Sequence, residues 1–309
     1  MTLPRRHLEG QVTMLTRRCS DRKNFLRPDA FINSVVAYEF ARASSRSGVD
    51  VHAAMVMSNH PHLVVTDHKA ARSDFMRDSM SGIARSRNRD LDRSGHFWDA
   101  KSYSDVVLLD RQALEEKLLY TWLNPVKAGL VDRVEDWPGF MILPKHWGKP
   151  TKIYRPQSFY SRRVPEFIEF TPQRPPGYEH LNDEELLGYF ENLIRKGEET
   201  LRRERKRSGK RVKGLAKIRK VNPLSSPSTP APRGELSPRF ASKDADLRKQ
   251  AIAAYRDFVK DYQAKREHWA LGRKVTFPCG TLWLRRNARV ICDSIPDDEP
   301  GLAKNFKRA

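Results

Sequence analysis

Two histidines in the first half of the chain have the spacing of paired metal ligands. The segment Asn59-His60-Pro61-His62 follows the apolar, strand-like run 51–57, and residues two apart in an extended backbone point the same way. His60 and His62 would therefore present two imidazoles on one face, close enough to share a metal ion. On its own the pair is weak evidence, because it equally describes two hydrogen-bonded histidines near the surface.

A second set of reactive residues lies in the run LLYTWLNPVKAGLV at positions 118–131. Tyr120 and Asn124 are four positions apart, so on a helix they share a face and lie one turn from each other. A phenol and an amide oxygen could then reach the same site. Taken alone, Tyr120 is more typical of a packed aromatic and Asn124 of a helix end before proline.

Together these pieces resemble the REP-associated tyrosine transposases, single-tyrosine transposases with a His-hydrophobic-His metal motif. The shared features are Asn-His-x-His at 59–62, Phe-Trp-Asp at 97–99 ahead of a strand, the run at 118–131 and Asp-Trp-Pro at 136–138. The resemblance covers residues 8–147, and the run at 118–131 is its most specific part.

The resemblance implies a DNA transposase and single-strand endonuclease that forms a 5′-phosphotyrosine intermediate and rejoins strands. His60 and His62 match the family's metal ligands, Tyr120 its nucleophile, and Asn124 the position that completes the metal site. The expected metal is Mg²⁺ or Mn²⁺, which would polarise the scissile phosphate. The expected partner is single-stranded or hairpin DNA, and the family usually works as a homodimer.

Two prolines constrain this assignment. Pro61 stands where the family more often has a bulky aliphatic residue, and proline removes a ladder hydrogen bond and favours an edge or bulge. The metal site could therefore be distorted. Pro125 disfavours helical geometry at Asn124 and is expected to end or kink the helix there. His68 could replace or supplement Asn124 as a ligand.

Three other residues could take part in the chemistry. Tyr103 is the alternative nucleophile, because it lies in a strand near the same motifs. Glu115 and Glu116 precede Tyr120 by about one helical turn. Either could approach the metal or act as a general base.

The pattern of apolar residues predicts an α+β fold. Strands are expected at 11–18, 51–57, 62–66 and 103–109, and they alternate with helices at 28–47, at 73–87 and from Asp110 onwards. Short links and one hairpin-like pair favour a small sandwich with helices packed on one sheet. The fold that the resemblance implies, a ferredoxin-like antiparallel sheet with helices on one face, agrees with this order.

Changes in composition divide the chain into four parts. Residues 1–148 form the expected catalytic domain, and 149–194 an irregular to helical extension whose helix begins near Asp183. Residues 195–238 are predicted to be a basic arm and Pro/Ser-rich linker, since 13 of the 26 residues from 195 to 220 are Lys or Arg. Residues 239–309 form a small, mainly helical C-terminal module with a helix at 244–271 and no assigned role.

The net charge indicates a polyanionic partner. The chain has 58 Lys+Arg against 38 Asp+Glu, a formal net charge of +20, and such an excess favours nucleic acid or an anionic membrane face. Insertion into a membrane is not expected, because no stretch approaches ~18 consecutive apolar residues. The three cysteines match neither a disulfide framework nor a zinc motif. These features favour a cytoplasmic, nucleoid-associated protein.

Basic side chains near the predicted site are the candidate DNA contacts. Phosphates bind Lys and Arg, and unpaired bases stack on aromatic rings. The expected contacts are Arg85, Arg87, Arg89, Lys101 and Lys127.

Two other functions fit the same residues. A non-catalytic DNA-binding relative would keep the fold and the charge. A metal-dependent phosphodiester hydrolase would use His60 and His62 to activate water, and it would need a further acidic or histidine ligand. Loss of Tyr120 separates these readings, because only the transposase needs its hydroxyl.

Overall fold

A computed structural model of the chain describes residues 4–100, 103–157, 160–161, 163–228 and 238–306. Strands and helices alternate in its first part as the apolar pattern predicts. In chain order these elements are β1 (Gln11–Thr16), α1 (Ala30–Ser47), β2 (Val49–Val56), β3 (Pro61–Asp67), α2 (Arg72–Asp90), β4 (Ser104–Leu108) and α3 (Arg111–Lys127).

Four of the strands form the middle of a sheet in the order β2-β3-β1-β4, and each neighbouring pair is antiparallel. A β-α-β-β-α-β chain with this strand order is the ferredoxin-like arrangement, so the predicted α+β fold is confirmed. Two short strands extend the sheet at its edges. β5 (Met141–Ile142) pairs with β2, and β8 (Phe240–Ala241) pairs in parallel with β4.

Helices cover both faces of this sheet, not one face alone. Leu15, Leu63 and Val65 face α1 and α2, whereas Met14 and Val64 belong to a second core on the other side. That second core also holds apolar residues of α3 and of the later helix α4 (Asp183–Arg207). Strand residues alternate between faces, and here both sets are apolar, so each face needs a covering layer.

The α3 helix continues through Pro125, where the sequence predicted an end or a kink. The Asp110 carboxylate caps its first turn by accepting a hydrogen bond from the Ala113 amide at 2.7 Å, and the helix ends at Lys127. The Trp122 indole donates to the Ile142 carbonyl at 2.8 Å and ties the helix to β5. Packing of α3 onto the sheet thus outweighs the local preference of the residue before proline.

Beyond the sheet the chain forms a small hairpin and a long helix. The hairpin consists of β6 (Thr151–Tyr154) and β7 (Phe167–Phe170), and it packs near α1. Helix α4 runs through position 195, where we expected the boundary of a basic arm. Its buried Glu198 accepts a hydrogen bond from the Val134 amide at 2.7 Å, so this stretch is part of the folded protein.

The remainder of the expected basic arm is also attached to the domain. We call residues 208–228 the strap, and it includes the short helix α5 (Leu215–Arg219). The amides of Lys213 and Gly214 donate to carbonyls of Gly129 and Leu130 at 2.8 and 3.0 Å. Ile218 is buried in the core beneath α3. The strap therefore follows the surface from the end of α3 instead of extending freely.

The C-terminal module packs on the N-terminal segment and on the β4 edge of the sheet. It contains α6 (Ala245–Ala270), β9 (Thr276–Phe277), α7 (Leu282–Ala288) and β10 (Ile291–Cys292). The His7 amide donates to the Gly280 carbonyl at 3.2 Å, and the Val12 amide to the Gly301 carbonyl at 2.9 Å. None of the described helices is both long and apolar enough to cross a membrane.

Candidate active site

The two histidines of the predicted metal pair lie where the β2–β3 hairpin turns. The Met57 amide donates to the His60 carbonyl at 2.9 Å and closes the turn at Ser58 and Asn59. The rings of His60 and His62 meet edge to face, with centroids 4.6 Å apart. The alternation of strand residues thus brings both imidazoles to the face of the sheet that α3 covers.

Pro61 occupies a position in the hairpin that suits a proline. It is the first residue of β3 and lies opposite Val56 of β2. The first position of a strand is one of the few places where a missing ladder donor costs little. The proline therefore fits between the histidines without displacing either of them.

Hydrogen bonds orient both imidazoles in the same tautomer. His60 Nδ1 lies 2.6 Å from Asn59 Oδ1, and His62 Nδ1 lies 3.0 Å from Thr16 Oγ1. Since an amide oxygen can only accept, His60 carries its proton on Nδ1. The Asn124 amide nitrogen donates to His62 Nε2 at 3.1 Å, which gives His62 the same assignment. Each ring then has its lone pair on Nε2.

Helix α3 carries Tyr120 and Asn124 on the face directed at these histidines. The Tyr120 ring lies edge to face with His62, at 5.4 Å between centroids, and Tyr120 remains 39% exposed. Leu118 and Trp122 on the other side of the helix are fully buried. The buried side of α3 fixes the helix, and its opposite side leaves the phenol open to a substrate.

The electrostatic surroundings keep both histidines uncharged. Burial, with smaller contributions from Arg18 and Arg22, lowers the pKa of His60 to about 4. Burial also places the pKa of His62 well below its usual value, with smaller contributions from His60, Arg18 and Lys117. Neutral imidazoles at physiological pH have the protonation state that metal binding requires.

Two lysines flank the Tyr120 ring. Lys117 Nζ lies 5.4 Å from the ring centroid and Lys127 Nζ lies 5.5 Å from it. We predicted Lys127 as a DNA contact, and it is exposed at this position. Lys117 was missed, although its place one turn before Tyr120 on the same helix could have revealed it. The two ammonium groups add positive charge beside the phenol.

The loop after β1 supplies more positive charge, and its position depends on the motif at residues 97–99. The Asp99 amide donates to the Arg18 carbonyl at 2.9 Å, and the Cys19 amide donates to the Asn59 carbonyl at 2.8 Å. The Phe97–Asp99 segment therefore holds Arg18 and Arg22 against the turn that carries His60. Arg22 is a further site residue that the sequence did not single out.

The other residues considered for the chemistry either lie away from the His60–His62 pair or are bound to other side chains. Burial, with a smaller contribution from Asp105, raises the pKa of Tyr103 to about 12, which disfavours Tyr103 as a nucleophile. His68 pairs with Asp50 at 2.7 Å beyond the far end of β3. The carboxylate of Glu115 accepts from the hydroxyls of two tyrosines on and before α4.

Glu116 is paired with Lys243, with 2.6 Å between its carboxylate and the ammonium. That contact directs its side chain toward the β8 region. Neither glutamate therefore approaches the His60–His62 pair.

The expected DNA contacts on and after α2 differ in accessibility. Arg85 and Arg89 are exposed near the end of this helix. Arg87 is only 2% exposed, and its guanidinium binds the Phe25 carbonyl at 2.9 Å, Asp29 at 2.8 Å and Asp90. The expectation for Arg87 is corrected, because its charge is compensated inside the protein. Lys101 lies outside the described residues.

The described residues of the protein supply only some of the ligands that a bound metal would need. Within the described residues no group of three or more His, Cys, Asp or Glu side chains comes together for a metal. His60, His62 and Asn124 lie together, and a divalent cation would fit between them if the Asn124 carboxamide turned its oxygen toward the site and released His62 Nε2. Water or a substrate phosphate would have to complete the coordination.

No protein-family model and no curated protein matches this sequence. Among solved structures, the chain is similar to a REP-associated tyrosine transposase bound to a REP hairpin, with 16% identity and a TM-score of 0.39 over 55% of this chain and 98% of that one. It is also similar to a candidate transposase from Deinococcus radiodurans R1, with 17% identity and a TM-score of 0.27 over 34% of this chain and 85% of that one. Because both TM-scores are low, the function of this chain is inferred from the side chains of the candidate site alone.

Proposed function

We propose that the protein is a metal-dependent enzyme that cuts single-stranded DNA and joins the cut end to another strand, with Tyr120 as the nucleophile. The observation that carries this proposal is the convergence of Tyr120 and Asn124 with His62, across 5.4 Å between rings and 3.1 Å between polar atoms. A phenol next to two neutral imidazoles and two lysines has the groups that phosphodiester transfer needs.

The chemistry balances without an energy source. The Tyr120 oxygen forms a bond to phosphorus, and the bond from phosphorus to the 3′ oxygen of the neighbouring nucleotide breaks. The products are a 5′-phosphotyrosine link and a free 3′-hydroxyl, which takes up a proton. The reverse step with the 3′-hydroxyl of another strand restores a phosphodiester and releases the tyrosine, so ATP is not required.

His60, His62 and Asn124 are the residues that would hold the metal, for which we propose Mg²⁺ or Mn²⁺. Such an ion supplies Lewis-acid polarisation of the phosphate when it is bound. Thr16 and Asn59 contact Nδ1 of the two imidazoles and so leave Nε2 unprotonated, and at His62 the metal would take the place of the Asn124 amide nitrogen on Nε2. Outer hydrogen bonds of this kind commonly set the orientation of metal-binding histidines.

The charge around Tyr120 supports a nucleic-acid strand as the substrate. Lys117 and Lys127 flank the ring. The strap, which follows α4 in the chain, passes the end of α3 and runs toward the loop that carries Arg22. The Asn24 amide donates to the Ser225 carbonyl at 2.9 Å, so the strap reaches the other side of the hairpin turn. We propose that phosphates of the strand bind the lysines beside Tyr120 and the basic residues of the strap.

A covalent-adduct assay tests the proposal. Purified protein is incubated with Mg²⁺ or Mn²⁺ and end-labelled DNA, either unstructured or hairpin-forming, and the mixture is run on a denaturing protein gel. We expect a protease-sensitive shifted band that Tyr120→Phe abolishes. Tyr103→Phe is the matched control, because it removes the hydroxyl of the alternative nucleophile. This variant should keep the band if Tyr120 is the nucleophile.

The other outcomes decide between the competing functions. Cleaved DNA without an adduct, unchanged in Tyr120→Phe, would identify a hydrolase. Binding with neither cleavage nor adduct would identify a non-catalytic DNA-binding protein. The proposed homodimer is checked separately by measuring the mass of the protein in solution with and without hairpin DNA.

A further inference from the structure

A cavity lies at the end of the sheet opposite Tyr120. Its volume is 310 Å³, and it is lined by the N-terminal segment, the first turn of α2 and the α6 and α7 helices. Pockets that accept small ligands begin at about 300 Å³. The first turn of α2 follows the end of β3, whereas His62 lies at the start of that strand. The cavity is thus separated from the candidate active site by roughly the length of β3.

Aromatic rings form one side of this cavity. Phe258 and Tyr262 lie on α6 with ring centroids 6.0 Å apart, and Trp283 on α7 also lines the space. Trp283 is 69% exposed, which leaves a large flat surface open to solvent. Indole rings exposed beside a cavity are typical of sites that bind another flat ring by stacking.

A buried histidine with an unpaired ring nitrogen is part of the lining of the same cavity. His7 lines the space, is only 5% exposed, and its Nδ1 has no hydrogen-bond partner in the described structure. Buried polar atoms are normally paired. A neutral imidazole can donate from one nitrogen and accept at the other, which matches the edge of a heterocyclic base.

The charges at the rim favour a neutral ring over an isolated phosphate. Arg5 pairs with Asp105 at 3.7 Å, and Arg286 pairs with Asp74. Both arginines are therefore engaged by carboxylates, which they share with Arg72 and Arg77. Affinity for the backbone of a polyanion would come from the rest of the chain, whose net charge is +20.

We propose that this cavity holds an unpaired base of a bound nucleic acid, with Trp283 as the stacking surface and His7 as the hydrogen-bonding group. The C-terminal module then acts as a second nucleic-acid contact, beyond the reaction proposed for Tyr120. This role does not depend on that reaction, because it requires neither the metal nor the Tyr120 hydroxyl.

The experiment uses full-length protein with Tyr120→Phe in EDTA, so that strand cleavage cannot affect the result. Fluorescence anisotropy measures binding to a labelled thymidine oligonucleotide and to an abasic strand of the same length. Trp283→Ala should weaken binding to the thymidine strand by about 5- to 100-fold, the range of one lost stacking contact, and leave the abasic strand unchanged. Because Trp283 is exposed, this variant should fold normally.

Trp269→Ala is the matched control. Trp269 is also partly exposed, at 39%, but it lies at the end of α6 outside the lining of the cavity. Its loss should change neither affinity. Equal affinity of Trp283→Ala and its parent for the thymidine strand would overturn the proposal and leave the cavity to an aromatic side chain of a protein partner. Equal losses on both strands would also overturn it, because base stacking would not be the cause.

Discussion

The charged side chains at the two ends of β3 differ in how they are compensated. At its C-terminal end, Asp67 accepts from the Ala71 and Arg72 amides at 2.6 and 3.0 Å, and the buried Arg72 guanidinium binds both Asp67 and Asp105. At its N-terminal end, Arg18 and Lys117 lie close enough to the buried His62 to lower its pKa, after the larger effect of burial. The first end neutralises its charges internally and stabilises the fold. The second keeps positive charge that an external anion can neutralise.

The largest expected effect is the loss of chemistry at the N-terminal end. His62→Ala should lower the rate of adduct formation by about 100- to 1000-fold, because it removes a ligand of the ion that polarises the phosphate. The measurement is a time course of the denaturing-gel adduct at saturating DNA and Mn²⁺. His68→Ala, at the other end of the strand, is the control and should retain the parental rate. A His62→Ala rate equal to the parental one would contradict the metal assignment.

The next effect is a loss of stability at the C-terminal end. Arg72→Met should lower the free energy of unfolding by about 3–5 kcal/mol, because it leaves a buried carboxylate without its partner. Urea titration followed by circular dichroism measures the change. Arg18→Met, at the exposed site end, should change it by only about 0.5 kcal/mol. Similar losses in both variants would remove the contrast between the two ends.

Acid should destabilise the protein partly by protonating His52, a buried histidine near the C-terminal end of β3. Burial lowers the pKa of His52 to about 4 in the folded protein, against about 6.5 when it is unfolded. The unfolded state therefore binds more protons between these values, so stability is complete above about pH 6.5 and falls toward pH 4, by at most about 1.4 kcal/mol per pH unit. Urea titrations of His52→Gln should give a shallower pH dependence than the parent. An unchanged slope would contradict the assignment.

The smallest effect concerns the strap. Replacing Lys213 and Lys217 by Gln should weaken binding to single-stranded DNA, and it should reduce the slope of log affinity against log salt by about 0.7 per lost phosphate contact. Anisotropy titrations at several salt concentrations measure that slope. The same replacements at Lys249 and Lys260, exposed on α6, form the matched control. Equal changes in both pairs would indicate a general charge effect and no defined path.

Local patterns predicted most of the elements. The helix expected to begin near Asp183 matches the start of α4, and the helix expected at 244–271 lies within one residue of α6 at each end. The break at Ser58 and Asn59 is the hairpin turn, with His60 and His62 on one face. These predictions succeed because strand and helix periods depend on neighbouring residues alone.

Features set by distant contacts were missed. Arg87 was expected on the surface because an arginine near a helix end is usually exposed, yet Phe25 and Asp29 enclose it. The strap was expected to be a free arm because it is basic, yet Ile218 anchors it in the core. In both cases the deciding partner is far away in the sequence.

The sequence by itself determined the two pairs of site residues. Period-two spacing sets His60 beside His62 on a strand, and period-3.6 spacing sets Tyr120 beside Asn124 on a helix. Only the tertiary structure decided that the two pairs meet, through the contact between Asn124 and His62 that spans 62 positions of the chain. That contact forms only because α3 packs over the face of the sheet that carries His62. Both faces of the sheet are apolar, so local sequence alone allows α3 to cover either face, and the assembly of the whole core selects one.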